Sequence, residues 1–109
     1  MVIEKVTVFT IKQKKRKGQK ITMLSAYDYP MATLIEKAGI DIVWVSEALG
    51  IVGLGYDSVL QVTMRDMIYH VKTIARSVTH PFILATMPFL SCDCTFGFNA
   101  KINFSKGTV

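Results

Sequence analysis

The sequence predicts an α/β protein on a parallel sheet, from three observations. Short, continuously apolar runs alternate with amphipathic helical segments. The runs do not alternate polar with apolar, as befits strands buried on both faces. The connections are short, so the order helix, then β-α-β-α-β, suits parallel strands with right-handed crossovers. With 109 residues, half of them hydrophobic and 19% charged, the chain holds at most one globular domain with a modest core.

In chain order, residues 10–16 have a helical composition, with Thr10 as a candidate N-cap and Gly18 as the stop. Residues 21–26 form the first apolar run. Asp28 caps a helix over 29–38, in which Pro30 is tolerated in the first turn and Gly39 ends the pattern. Met31, Leu34, Ile35 and Ala38 fall on one stripe of that helix. Residues 40–45 are a second buried strand, rich in β-branched side chains and interrupted only by Asp41. Residues 49–62 read as a glycine-bearing loop with Gly50, Gly53 and Gly55. Thr63 opens the next helix with Asp66 as a near capping box. Its buried stripe is Met67, Ile68, Val71, Ile74, Ala75 and Val78. Pro81 precedes a third strand over 82–85, and Pro88 stops it. After Phe89 the pattern decays, with at best a short helix over 98–105. Residues 1–20 therefore read as a basic helical arm, 21–91 as the β-α-β-α-β segment, and 92–109 as a poorly patterned tail.

Charge narrows the function classes. The net charge is +5, and Lys5, Lys12, Lys14, Lys15, Arg16, Lys17 and Lys20 supply seven of thirteen basic residues. A basic arm can meet nucleic acid or an anionic surface. Phe9 is the one aromatic residue among these lysines, too few to stack a strand of bases, so a solvated helix face is the favoured reading and nucleic acid is not the expected partner. No apolar run reaches the roughly 18–20 residues of a membrane span. No apolar core and cleavage site follow the basic start, so the expected compartment is the cytoplasm. Cys92 and Cys94 are too close for an unstrained disulfide and too few for a zinc site, so free thiols are expected.

In a parallel sheet the strand ends share one rim, where α/β proteins place their chemistry. Here that rim carries Tyr27, Asp28, Ser46, Glu47 and Thr86. Asp28 has a helix to cap. Glu47 is followed by glycines and is open to either a structural or a ligand-facing role. His70, four residues after Asp66, reads as half of a helix-surface pair. Tyr56, Asp57 and Ser58 read as a turn in preference to a lid. Gly53 and Gly55 make no nucleotide fingerprint, because the third glycine is missing.

Several motifs carry a family resemblance. They are K-I-T-M-L-S-A-Y-D-Y-P at 20–30, A-G-I-D at 38–41, L-G-Y-D-S at 54–58, V-T-x-x-D-M-I-Y-H at 62–70 and M-P-F at 87–89. In this order, over residues 5–91, the chain resembles ketopantoate (3-methyl-2-oxobutanoate) hydroxymethyltransferase. The resemblance implies a (βα)8 TIM-type barrel, of which 109 residues supply an incomplete part: the N-terminal helix and about three βα units. It implies transfer of a one-carbon unit from 5,10-methylenetetrahydrofolate to 3-methyl-2-oxobutanoate, giving 2-dehydropantoate for pantothenate and coenzyme A synthesis. It also implies a homo-oligomer and a magnesium ion that chelates the 2-oxo acid.

The same resemblance assigns Glu47, Ala48 and Thr86 to substrate-binding positions. The family carries Asp-Ser where this chain has Glu47-Ala48, and a second Asp where this chain has Thr86. Glu47 is then the one candidate metal ligand, Ala48 lacks a hydroxyl donor, and Thr86 replaces the second ligand with a neutral oxygen. Asn99-Ala100 and Lys106-Gly107 echo later family motifs. The family's general base falls beyond residue 109, so no residue here is assigned a catalytic role. The alternative expectation is a truncated or diverged homologue without catalysis, acting as an interaction partner or a non-functional fragment. Its open sheet edge would favour association.

Overall fold

The computed structural model describes residues 4–89. The Cys92–Cys94 pair, the expected helix over 98–105 and the echoes at 99–100 and 106–107 lie outside them. Three parallel strands form one sheet in the order β1-β2-β3: β1 Met23–Ser25, β2 Ile42–Val45 and β3 Phe82–Ala85. Helix α1 Val8–Arg16 precedes the sheet. Helix α2 Tyr29–Ala38 joins β1 to β2, and α3 Leu49–Val52 and α4 Met64–Ser77 lie between β2 and β3. The parallel three-stranded α/β arrangement read from the sequence is therefore present.

The register aligns Met23, Ile42 and Phe82, then Leu24, Val43 and Ile83, then Ser25, Trp44 and Leu84. Side chains alternate across a strand, so one face carries Val43, Val45 and Ile83. These bury against Ala32 and Ile35 of α2 and Met67, Val71 and Ile74 of α4, forming the core. The opposite face carries Met23, Ile42, Trp44, Phe82 and Leu84. None of these five is fully buried.

Local chemistry sets the helix ends. Asp28 caps α2 by accepting the Met31 N–H at 2.9 Å, and Gly39 closes it in the left-handed region at φ 72°. Thr63 and Asp66 form the expected capping box on α4. Met67, Val71, Ile74 and Val78 of its predicted stripe are fully buried, with Ile68 and Ala75 half-buried.

Four details differ from the sequence reading. Helix α1 is capped by Thr7; Thr10 instead sits three residues in and completes a capping box with it. The buried positions of α2 are Ala32 and Ile35, while Leu34 is 66% exposed and Met31 39%. The helix is turned so that Ala32 and Ile35 enter the buried cluster. Residues 49–62 are not an open loop. They contain α3 and a 3-10 turn, Val59–Gln61, capped by Ser58. Asp41 is a buried anchor rather than a blemish in an apolar run. It binds the Lys14 ammonium at 2.8 and 2.9 Å, and the Thr22 N–H and hydroxyl at 3.0 and 3.2 Å.

The N-terminal segment is tied to the same end of the sheet. The Val6 N–H donates to the His80 carbonyl at 2.8 Å, and Val6 is buried. Glu36 receives the N–H groups of Thr79 and His80 and the Thr79 hydroxyl, fixing the turn that enters β3.

Candidate functional site

The carboxyl ends of the three strands meet on one rim, opposite the Asp41 end. β2 ends at Val45, Ser46 is buried beneath the rim, and the chain turns through Glu47 and Ala48 into α3. Glu47 is thus followed by a short helix, not directly by an open glycine loop. That helix has Ala48 at its N-cap, without a side-chain capping bond. Leu49, fully buried, pins it to the core. Gly50 is required because an added Cβ would run into the Val62 side chain and come within 3.1 Å of the Tyr56 ring.

Glu47 and Thr86 meet on this rim. The Thr86 N–H continues the sheet ladder to the Val45 carbonyl at 3.1 Å. The Glu47 N–H donates to Thr86 Oγ1 at 3.3 Å, and the Thr86 hydroxyl donates to Glu47 Oε2. Two of the residues singled out from the sequence, 39 positions apart, are therefore bonded to each other. Ala48 adjoins them and offers no side-chain polar atom. Tyr27 packs against the core. Asp28, the acid at the β1 end, spends Oδ1 on its own helix.

The other candidates serve structure. The Tyr56 hydroxyl donates to Asp66 Oδ2 at 3.2 Å, tying the 49–62 segment to the start of α4. The Thr63 N–H bond, helped by the Thr63 and Tyr56 hydroxyls and by His70, holds the Asp66 carboxyl below the usual carboxylate range against the effect of burial. Burial and the Asp66 charge raise the Tyr56 phenol. His70 Nδ1 lies 2.8 Å from the Asp66 backbone carbonyl, so the i, i+4 contact runs to the main chain and not to the carboxylate. The Trp44 Nε1–H is buried with no hydrogen-bond partner among the described residues.

The magnesium ion implied by the resemblance can be tested against these donors. Magnesium requires near-octahedral oxygens aimed at one centre about 2.0–2.1 Å away. Where β2 and β3 end, the rim offers one carboxylate and one neutral hydroxyl, and these are aimed at each other, while Asp28 at the β1 end gives Oδ1 to its own helix cap. Among the described residues no group of three His, Cys, Asp or Glu side chains could hold a metal. This donor set does not fit a chelating divalent-cation site.

Comparison with known proteins bears on what the rim belongs to. The family profile of ketopantoate hydroxymethyltransferase matches residues 5–102. A protein from Thermoanaerobacter sp. (strain X514), named 3-methyl-2-oxobutanoate hydroxymethyltransferase, is 49% identical over 88 residues, covering 81% of this chain and 32% of that protein. Its namesake from Caldicellulosiruptor saccharolyticus is 50% identical over 93 residues, covering 85% of this chain and 35% of its own length. That from Syntrophus aciditrophicus is 44% identical over 91 residues, covering 84% and 34%. The chain spans about a third of the length of the curated relatives it matches. With the profile running through all three strands and the Glu47–Thr86 rim, this chain belongs to the ketopantoate hydroxymethyltransferase family.

Proposed function

We propose that this chain serves hydroxymethyl transfer from 5,10-methylenetetrahydrofolate to 3-methyl-2-oxobutanoate, giving 2-dehydropantoate. The rim at the ends of β1, β2 and β3 would face the oxo acid. The observation that carries this reading is the meeting of Glu47 and Thr86 at the carboxyl end of the sheet, the edge where α/β enzymes bind substrate. In this reading Glu47, Ala48 and Thr86 line the oxo-acid side, and the parallel strands are the opening βα units of a TIM-type barrel. In this reading the remaining strands and the general base are supplied by another chain or by a longer gene product. Methylenetetrahydrofolate is the one-carbon donor. Self-association through the sheet edges accompanies the function. No described helix is long and apolar enough to cross a membrane, and none is needed for this chemistry.

A second reading, an interaction partner without catalysis, is favoured by the way Glu47 and Thr86 satisfy each other. The two part in one assay. Purified chain, alone and mixed with the C-terminal part of a full-length relative, is incubated with 5,10-methylenetetrahydrofolate, 3-methyl-2-oxobutanoate and millimolar magnesium, and 2-dehydropantoate is followed by mass spectrometry. Product above the no-protein background, lost in Glu47→Ala, supports the transferase reading for this chain. No product at any magnesium level leaves the non-catalytic reading.

A further inference from the structure

We propose that Glu47 and Thr86 form a hydrogen-bonded clasp that closes the rim between β2 and β3 and stands in place of a divalent-cation site. The proposal concerns the same rim as the transferase reading. It is read by metal titration and unfolding, so its failure and a failure of turnover are told apart.

The argument counts lone pairs and protons. A threonine hydroxyl has one hydrogen and two acceptor positions. In Thr86 the hydrogen goes to Glu47 Oε2, and one acceptor position takes the Glu47 N–H. With the Thr86 N–H on the Val45 carbonyl, each polar group of Thr86 in these contacts points across to β2 or the turn that follows it. A hydroxyl donating to a carboxylate makes a charge-assisted bond, among the stronger kinds in proteins. A bridging cation would have to break that bond and turn both oxygens outward. It would gain one carboxylate and one neutral oxygen, with Asp28 already committed to Met31. Two carboxylates at these positions would repel each other and call for a cation between them. One carboxylate and one hydroxyl attract each other and do not. The clasp also holds the entry to α3, whose Ala48 N-cap offers no side chain of its own.

The single tryptophan, Trp44, lies on β2 just before this turn and reports on it. Full-length chain is titrated with Mn2+ while Trp44 fluorescence is followed, for wild type, Glu47→Gln and Thr86→Asp. Expected are no saturable quenching in wild type below millimolar Mn2+, none in Glu47→Gln, and a gain of at least about tenfold in affinity in Thr86→Asp, which restores the second carboxylate. In parallel, the urea midpoint is measured in EDTA and in magnesium. Thr86→Val should lower it equally in both, and Thr86→Ser should hold close to wild type. Micromolar Mn2+ binding by wild type that Glu47→Gln abolishes would overturn the proposal. So would a wild-type midpoint that magnesium raises and EDTA lowers, a readout that does not depend on any variant folding.

Discussion

Asp41 holds together the end of the sheet that faces away from the rim. It is 5% exposed, yet it joins α1 through Lys14 and the residue just before β1 through Thr22, while its own carbonyl receives the Phe82 N–H at 2.8 Å. Burial pushes its carboxyl up, but the Lys14 ammonium and the Thr22 donors outweigh this and hold it below the usual carboxylate range. Its pKa is thus lower folded than unfolded. The stability it contributes is complete above about pH 4 and is lost as pH falls through the folded value. Glu36 acts in the same sense: burial raises it, and the Thr79 and His80 donors more than offset that. Asp41→Asn should cost about 2 kcal/mol at neutral pH and flatten the fall in urea midpoint below pH 4. An unchanged acid limb in that variant would refute the assignment. Lys14→Met should cost less, about 1 kcal/mol, because the Lys14 side chain is 29% exposed and partly solvated.

At the scale of elements, the segment between β2 and α4 shows how tertiary contact makes a helix that local signals do not announce. α3 has four residues and no side-chain cap. It exists because Leu49 is buried and because Gly50 lets Val62 and Tyr56 approach. Gly50→Ala should cost about 1–3 kcal/mol by overpacking. Adding Val62→Ala removes the side chain that the new Cβ meets. The double variant should then cost less than the sum of the two single changes. Additive losses in urea unfolding would show that the close approach does not govern the turn. α4 was legible in advance because Thr63, Asp66 and a stripe at helical spacing all point to one helix. The stripe of α2 was legible only in part. Leu34 and Met31 are as apolar as Ile35, and what selects among them is which side of α2 faces the buried cluster it shares with α4.

At the scale of the molecule, one sheet face is packed by α2 and α4 and the other is not filled by the described residues. Met23 and Leu84 on that second face are 46% and 36% exposed, and among the described residues β1 and β3 each pair along one edge only. Exposed apolar surface beside unpaired strand edges favours association. The chain should self-associate as concentration rises, and Leu84→Lys should shift sedimentation velocity toward smaller species. If that variant sediments as wild type does, this face is not the surface through which copies meet.

By itself the sequence determined the order of the three strands and of the helices α1, α2 and α4, the parallel α/β class, the family, and the rim on which Glu47 and Thr86 would lie. Those follow from local periodicity, capping chemistry and motif spacing, which act over a few residues. The tertiary structure alone decided that Glu47 and Thr86 satisfy each other, that Asp41 is an anchor paired to Lys14, and that residues 49–62 fold into a helix and a turn. Apart from the Ser58 cap of the 3-10 turn, which is local, these depend on groups more distant in sequence being brought to hydrogen-bonding or packing distance. The energy of such contacts is written in the packing of the sheet and helices, not in any window of the chain.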